Sequence, residues 1–270
     1  MNQWPYAVLH VPHASSVIPP EVRASFHLDD RALAEQLRVL TDRYADELFD
    51  VGPELASLVR YPVSRLVVDP ERFVDDSLEP MFMRGMGVIY TRTAHGEVLR
   101  DKPTPTERKS LLREFHEPHH DALNRACDAA LEVNGWSLIF DCHSFPSKPL
   151  PFEPDRDLNR PDINVGTDPF HTPEWLAKLT IDSFEKAGFS VARDRPSAGA
   201  LTPTKHYRTD PRVLTVMIEV NRSLYMDEMT GERNLNFIPM ASRLQETVAG
   251  QITDVQRAIE RRPSLQDVGR

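Results

Sequence analysis

The chain has 270 residues, of which 41 are acidic and 32 basic, so its formal net charge is −9. With 40% apolar and 27% charged residues it has the composition of a globular protein, which excludes a disordered chain. The acidic balance argues against nucleic acid as a partner, no apolar run is long enough for a membrane helix, and residues 1–6 lack the start of a secretory signal. Two cysteines make neither a disulfide framework nor a four-cysteine zinc site. We therefore expect a soluble, cytoplasmic protein whose residues 1–270 form one domain.

Short apolar runs alternate with helical patterns along the chain. The runs predict strands over residues 7–11, 66–68, 88–90, 137–140, 190–192 and 213–220. Apolar residues three or four apart predict helices over 33–48, 111–126, 175–184 and 244–259, the second after an N-cap at Thr104 or Thr106 and the third after Pro173. Residues 151–173 are polar with little periodicity, which is typical of a functional loop. This alternation predicts a single-domain α/β fold with a mostly parallel sheet covered by helices on both faces.

Three of the predicted strands run into residues that can perform chemistry. His13 follows the first strand, His143 follows the fourth, and Glu219 lies near the end of the sixth. In open α/β sheets the site lies outside the carboxyl ends of the strands, so we expect these side chains to meet. Two histidines and a carboxylate can hold a zinc ion and leave one position for water. Alone, each histidine is more often a hydrogen-bonded structural group, so only the joint pattern favours a site.

Side-chain alternation along the strands refines this expectation. Asp141 and His143 point to one side of their strand and Cys142 to the other, so we expect Cys142 to be a packed thiol and Asp141 to orient a ligand histidine. If the sixth strand is central, Glu219 is poorly solvated, and burial raises its pKa, which suits a general base. The alternative is an ordinary ion pair between Glu219 and Arg222.

The segment from His116 to His120 matches the H-E-x-x-H signature of helical zinc proteases. That signature needs an unbroken helical turn, whereas Pro118 has no N–H and its ring crowds the carbonyl of Glu114. His119 also falls on the apolar face of its helix. We therefore favour a packed segment over a zinc-protease helix and keep His120 as a candidate pocket residue.

Asp42 has two interpretations. If residues 29–49 form one helix, Asp42 lies opposite the apolar stripe and is a solvated acid. If Thr41 instead caps a second helix, Asp42 sits in the first turn of that helix and can turn inward. The pattern alone favours the solvated acid.

Five segments in this order resemble those of a known family: Val-Pro-His-Ala-Ser at 11–15, Thr-Asp-Arg-Tyr at 41–44, Ser-Arg-Leu-Val-Val-Asp at 64–69, Asp-Cys-His-Ser at 141–144 and Ile-Glu-Val-Asn-Arg at 218–222. With the histidines of 116–120 and the loop from 199 to 207, they resemble the N-formylglutamate amidohydrolase family over about residues 6–225. The resemblance implies a phosphorylase/hydrolase-like fold, related to that of zinc carboxypeptidases and aspartoacylases, with a mixed, mostly parallel sheet flanked by helices and one zinc ion at the strand ends. It also implies hydrolysis of an N-acyl amino acid, typically N-formyl-L-glutamate to formate and glutamate.

The resemblance assigns a metal-binding set. His13 and His143 look like the zinc-binding histidines. The carboxypeptidase relatives take a glutamate three residues after the first histidine, where this chain has Ser16. The resemblance therefore makes Asp42 the candidate third ligand, against the solvated interpretation of its pattern. Another divalent ion is an alternative to zinc, because histidine and carboxylate ligands accept several metals.

The resemblance also assigns catalytic roles. Glu219 resembles the catalytic glutamate, and Arg65 resembles an arginine that polarises the scissile carbonyl or binds a substrate carboxylate. Where the carboxypeptidase relatives often have Asn-Arg, this chain has Glu71 and Arg72. This difference leaves the mode of carboxylate binding, and therefore the strict specificity for formylglutamate, open.

Cations beside the predicted strand ends indicate a small anionic substrate. The candidates for binding it are Arg72, Arg92, Lys205, Tyr207 and His120. Tyr207 lies on a proline-rich loop that can close over the substrate, whereas several of the cations can instead be solvated or paired with nearby acids. Two rival functions stay open: a zinc deacylase or peptidase for another N-acyl amino acid or small peptide, and a non-catalytic module that binds an anion. The oligomeric state is also open.

Overall fold

The computed structural model describes residues 7–261, so the predicted lack of a secretory start at 1–6 lies outside the described residues. The strands are β1 (Ala7–Val11), β2 (Ala56–Arg60), β3 (Ser137–Phe145), β4 (Ile163–Gly166), β5 (Val191–Arg193) and β6 (Val213–Asn221). The α-helices are α1 (Pro20–Arg23), α2 (Asp30–Leu40), α3 (Ala45–Leu48), α4 (Pro105–Leu111), α5 (Glu117–Asn134), α6 (Glu174–Lys186) and α7 (Phe237–Glu260). A π-helical turn (Leu112–His116) joins α4 to α5, and short 3₁₀ turns lie at Phe82–Arg84 and Arg222–Leu224.

These strands form one sheet in the order β2-β1-β3-β6-β4-β5. The first four are parallel, β4 is antiparallel to β6, and β5 is parallel to β4. The predicted α/β fold with a mixed, mostly parallel sheet is therefore confirmed. That all 270 residues form one domain stays a prediction. None of the described helices combines the length and the hydrophobicity that crossing a lipid bilayer requires.

The central strands are buried on both faces, as is usual for parallel sheets covered by helices. On one face, Leu9, Phe140 and Val216 pack in the same core as residues of α3, α6 and α7. On the other, Val8, Ile139 and Val213 pack against Leu123 and Cys127 of α5. Alternate residues therefore reach opposite helical layers, and the odd-numbered residues of β3 and β6 face α5.

The predicted strands at 66–68 and 88–90 are wrong. Leu66, Val68 and Val88 are fully buried, but they belong to a second core that packs under the irregular segment 61–104. Short apolar runs of this kind signal burial, and burial alone does not distinguish a strand from a packed loop. Two strands, β2 and β4, were not predicted because neither stands out as an apolar run in the sequence. β2 is partly exposed, and β4 lies inside the polar segment 151–173.

Three of the four predicted helices are confirmed. The Thr104 side chain accepts a hydrogen bond from the N–H of Glu107, and the Glu107 carboxylate accepts one from the N–H of Thr104, so this is the predicted N-cap in the form of a capping box. The third helix starts directly after Pro173, and α7 contains the predicted stripe. The helix predicted over 33–48 is divided in two, with consequences for the site.

Candidate metal centre and active site

The candidate site lies at the carboxyl ends of β1, β3 and β6, which are neighbours in the sheet. His143 on β3 and Glu219 on β6 are register partners, so their side chains project side by side toward the α5 layer. His13 follows β1 in the adjoining loop, and all three side chains are buried. This arrangement agrees with the expectation that the strand ends bring two histidines and a glutamate together.

Two histidines and Asp42 form a compact triangle of metal-binding atoms. Nδ1 of His13 lies 3.3 Å from Nδ1 of His143, and Oδ2 of Asp42 lies 3.1 Å from Nδ1 of His143 and 3.7 Å from Nδ1 of His13. Tetrahedral zinc with bonds of about 2.0–2.2 Å separates its ligand atoms by roughly 3.3–3.6 Å. The type and spacing of these three atoms therefore fit a zinc ion.

Asp42 reaches the site because α2 ends early. Thr41 has extended backbone angles, which terminate the helix after Leu40, and the N–H of Asp42 donates to the carbonyl of His13 at 2.9 Å. The single helix over 29–49 is thus wrong, and so is the solvated position that it gave Asp42, which is 2% exposed. The cap of the second short helix is Tyr44, not Thr41.

Arg222 and Ser144 hold the Asp42 carboxylate. The guanidinium of Arg222 donates to Oδ1 at 2.8 Å, and the Ser144 hydroxyl donates to the same oxygen at 3.0 Å. This leaves Oδ2 toward the two histidines. The pKa of Asp42 stays well below its usual range, because the histidines and Arg222 outweigh burial, which acts to raise it. Arg222 is therefore the partner of Asp42 and not of Glu219.

Glu71 is a further carboxylate against the same histidines, and the sequence analysis did not consider it as a ligand. Its Oε1 lies 3.0 Å from Nε2 of His143, and its Oε2 lies 3.8 Å from Nδ1 of His13. His13, Glu71 and His143 offer atoms that all lie within 4.8 Å of one another, which is also a group able to hold a metal ion. The only sequence signal for Glu71 as a ligand was its acidic side chain at the position where the carboxypeptidase relatives often have asparagine.

Asp69 orients His13. Nε2–H of His13 donates to Oδ1 of Asp69 at 2.8 Å, which leaves Nδ1 facing the candidate metal position. Arg65 donates to Oδ2 of Asp69 through Nε at 3.1 Å and Nη2 at 2.7 Å, and the Tyr90 hydroxyl donates to it at 2.7 Å. Burial favours the neutral acid, but Arg65 and His13 outweigh it and hold the pKa of Asp69 well below its usual range.

Asp141 contacts two buried histidines, which agrees with the expectation that it orients a ligand histidine. Its Oδ1 lies 3.0 Å from Nε2 of His143 and 2.8 Å from Nδ1 of His10, and the N–H of Leu201 donates to Oδ2 at 2.8 Å. Cys142 points to the opposite side and is packed in the core. Asp141 is thus one of the acids that orient the ring of His143.

The electrostatics around His143 suit a cation. Burial acts to lower its pKa, but the carboxylates of Glu71 and Asp141 outweigh burial and hold the pKa well above the ordinary value. Among the described residues, these two acids form ion pairs with histidines alone, whereas Asp42 and Asp69 each pair with an arginine as well as with histidine. A divalent ion can therefore supply positive charge that the histidines otherwise supply by binding protons.

Glu219 is the candidate base. It is 7% exposed, and burial raises its pKa, as the sequence analysis expected from a central strand. A carboxylate with a raised pKa accepts a proton more readily than a carboxylate with an ordinary pKa. Its place beside His143 puts this proton acceptor next to the triangle of metal-binding atoms.

The histidines of the H-E-x-x-H segment lie beside the site, where they contact other histidines and a backbone carbonyl. The π-helical turn before Pro118 shifts the hydrogen bonding by one residue, so the helix continues although the proline has no N–H. His116 and His120 stack with ring centroids 4.1 Å apart, and Nε2 of His120 hydrogen-bonds to the carbonyl of Pro70 at 2.7 Å. Nε2 of His119 lies 2.8 Å from a ring nitrogen of His10.

The other candidate binding residues are distributed unevenly. Arg72 lies next to the site, 3.7 Å from Asp69, and Tyr207 contacts Phe73 across a ring-centroid distance of 6.3 Å. Arg92 is exposed and donates to the carbonyl of Gly96, and Lys205 is exposed and pairs with Asp128 of α5 at 2.7 Å. The hydrogen-bond partners of Arg92 and Lys205 thus lie outside the cluster of histidines and acids.

Comparison with known proteins agrees with the resemblance. A family model described as N-formylglutamate amidohydrolase matches residues 6–226. A curated N-formylglutamate deformylase of Pseudomonas putida is 31% identical over 233 residues, which cover 82% of this chain and 82% of that protein. The chain belongs to the N-formylglutamate amidohydrolase family.

Two solved structures support the fold of this family member. A crystal structure of N-formylglutamate amidohydrolase from Ralstonia eutropha has a TM-score of 0.80 at 23% identity and covers 95% of this chain and 96% of that chain. A gene product of Agrobacterium tumefaciens has a TM-score of 0.63 at 18% identity, covering 93% and 92%. Membership of the N-formylglutamate amidohydrolase family also confirms the predicted class of enzyme, a hydrolase that acts on an amide.

Proposed function

We propose that this protein is a zinc-dependent amidohydrolase that cleaves N-formyl-L-glutamate to formate and L-glutamate. The observation that carries the proposal is the triangle formed by His13, His143 and Asp42, which lies beside the buried Glu219. The 31% identical relative from Pseudomonas putida carries the name of this activity. Cytoplasmic location stays our prediction.

His13, His143 and Asp42 would hold the zinc ion, and Glu71 is a further candidate ligand. Zinc supplies Lewis acidity, which polarises a carbonyl and lowers the pKa of water towards about 7. Asp69 and Asp141 orient the two histidines through the ring nitrogens that face away from Asp42. These acids keep the ligand atoms in place, so little conformational freedom has to be lost when the ion binds.

Glu219 moves the proton in the proposed reaction. Its carboxylate takes one proton from the attacking water while the water oxygen forms a bond to the formyl carbon. The C–N bond then breaks, and Glu219 passes the proton to the nitrogen that leaves. The second proton of the water stays on the carboxyl group that forms and then moves to the amine, so the products are formate and glutamate with a protonated amino group, and atoms and charge balance.

Arginines bind the charged parts of the substrate in this proposal. Arg65 is held by Asp69 at one edge and is the proposed partner of the developing oxyanion or of a substrate carboxylate. Nε of Arg72 is buried and has no hydrogen-bond partner among the described residues, which favours Arg72 as a carboxylate-binding group. Phe73 and Tyr207 contact each other beside it and are candidates for closing over the substrate.

The experiment that tests the proposal measures formate release from N-formyl-L-glutamate by zinc-loaded protein, with a chelator-treated sample alongside. We expect turnover that the chelator abolishes and zinc restores. Turnover on another N-acyl amino acid alone would favour the deacylase alternative. Absence of both turnover and bound zinc would favour the non-catalytic anion-binding alternative.

A further inference from the structure

Glu219 has a buried neighbour that the sequence analysis did not consider. Asn164 lies on β4, antiparallel to β6, and the register sets it directly opposite Glu219. Opposite residues of an antiparallel pair share one face of the sheet. Asn164 has no exposed surface, and its Nδ2 donates to Oε2 of Glu219 at 2.6 Å.

Three hydrogen bonds determine the orientation of the Asn164 amide. Nδ2 donates to Glu219 and also to the carbonyl of Ser197 at 2.8 Å, while Oδ1 accepts from the N–H of Arg195 at 2.9 Å. A backbone N–H can only donate and a carbonyl can only accept, so the nitrogen of the amide has to face Glu219. The amide is held by backbone on two sides and is therefore a rigid donor.

We propose that Asn164 is a positioning residue for the general base. It holds Oε2 of Glu219 and so sets the direction in which the carboxylate, to which the Ser197 side chain also hydrogen-bonds, meets the attacking water. This inference rests on the proposed function, and it adds to it the group that sets the direction of the base. Hydrogen bonds to an ionised acceptor are stronger than neutral ones, and a misplacement of about 1 Å at a reacting group can cost about 100-fold in rate.

A purely structural role is the competing account. Asn164 joins β4 to the loop that contains Arg195 and Ser197, so its loss also removes hydrogen bonds that hold this loop. The two accounts differ in one respect. A positioning residue affects kcat only while Glu219 is present, whereas a loop anchor affects the enzyme whether or not Glu219 is present.

The test compares two substitutions of Asn164 in the zinc-loaded enzyme. Asn164→Ala removes the donor, and Asn164→Asp keeps the size and the acceptor for Arg195 but places an oxygen against Glu219. Thr215→Val is the matched control, because Thr215 is fully buried on β6, and its hydroxyl lies 3.3 Å from that of Thr202 and away from Glu219. Each variant is also made in a Glu219→Gln background.

We expect kcat for N-formyl-L-glutamate to fall about 10- to 100-fold in both Asn164 variants, with KM within about threefold of wild type. Zinc content and circular dichroism should match wild type. Thr215→Val should keep kcat within about threefold. In the Glu219→Gln background, Asn164→Ala should cause no further loss, because the base that it positions is already absent.

Three results would overturn the inference while the proposed function stands. The first is an unchanged kcat in both Asn164 variants. The second is an equal loss from Asn164→Ala with and without Glu219, and the third is loss of folding and zinc in both Asn164 variants; the second and third results indicate a structural role. If wild-type enzyme releases no formate while it binds zinc, the proposed function itself is wrong and the inference is wrong with it.

Discussion

At the scale of single residues, the neighbours of each buried acid decide what it can do. Arg222 beside Asp42 and Arg65 beside Asp69 outweigh burial and hold the pKa of both acids well below its usual range. Glu219 receives a hydrogen bond from an amide instead, and burial raises its pKa. Acids that stay ionised suit cation binding and histidine orientation, whereas an acid with a raised pKa suits proton transfer.

Glu219→Gln should abolish most turnover and keep the metal. Glutamine has the same size but cannot accept the proton, so kcat should fall by about 10² to 10⁴-fold. Zinc should stay at one ion per chain, because Glu219 is not part of the ligand triangle. Steady-state kinetics and metal analysis measure both quantities. Glu185→Gln is the control, because Glu185 is exposed on α6. A near-normal kcat in Glu219→Gln would remove Glu219 from the mechanism.

The third metal ligand can be identified by comparing Asp42→Asn with Glu71→Gln. Both substitutions keep the shape of the side chain and remove its charge. Asp42 lies closer to the two Nδ1 atoms, so we expect Asp42→Asn to weaken zinc binding by more than about tenfold and Glu71→Gln to weaken it less. Competition with a chromophoric chelator measures the affinity. The reverse order would make His13, Glu71 and His143 the ligand set.

At the scale of elements, the site combines regular strands with irregular chain. The strands β1, β3 and β6 bring His143 and Glu219 together through their register, but Asp69 and Glu71 come from the segment 61–104, which has its own core. The early end of α2 brings Asp42. Strand ends supply fixed directions, and the turns between elements supply the ligands that a regular strand cannot reach.

Gly166 at the end of β4 gives an element-scale prediction. A methyl group there would overlap the carbonyl oxygen of Gly199 and the side-chain methyl of Met217. Gly166→Ala should therefore lower the free energy of unfolding by about 1–3 kcal/mol. Urea denaturation followed by circular dichroism measures this change.

Gly250→Ala is the matched control for that prediction. Gly250 lies inside α7, and a methyl group there meets nothing within 4 Å. Alanine favours a helix over glycine by about 0.8–1.0 kcal/mol, so this variant should be more stable than wild type. Equal effects of the two substitutions would contradict the close approach at Gly166.

At the scale of the whole molecule, the fold gathers histidines at one end of the sheet. Six of the ten histidines in the chain lie in the cluster around the site: His10, His13, His116, His119, His120 and His143. Burial and the neighbouring His120 lower the pKa of His116 to about 3. The folded protein therefore keeps this histidine neutral in a pH range where the unfolded chain protonates it.

His116 should make the stability of the protein depend on pH. Its folded-state pKa of about 3 lies below the ordinary 6.5, so its contribution is fully present above pH 6.5 and is lost as the pH falls from 6.5 towards 3. One group changes the free energy of unfolding by about 1.4 kcal/mol per pH unit, which amounts to about 2 kcal/mol at pH 5. Urea unfolding measures the free energy of unfolding at pH 7 and at pH 5. The decrease between the two pH values should be larger in wild type than in His116→Gln by this amount. The exposed His27→Gln is the control, and equal decreases for wild type and His116→Gln would contradict the prediction.

The sequence by itself determined the α/β class, the strand that precedes His13, the strands that carry His143 and Glu219, and three of the four predicted helices. These features depend on local periodicity and on the rule that sites lie at the carboxyl ends of parallel strands, and both can be inferred from residue order. The family resemblance also rested on short segments in this order, and the comparisons confirmed it.

Only the tertiary structure decided which acids surround the histidines. The inward turn of Asp42, the approach of Glu71 and the pairing of Asn164 with Glu219 all join residues that are far apart in the chain. Periodicity carries no signal for such contacts, because the segment 61–104 has little regular structure and β4 lies in a polar stretch. The tertiary structure also decided the pKa of each acid, because the pKa of a buried acid depends on the charges and hydrogen bonds around it. The packed fold sets both.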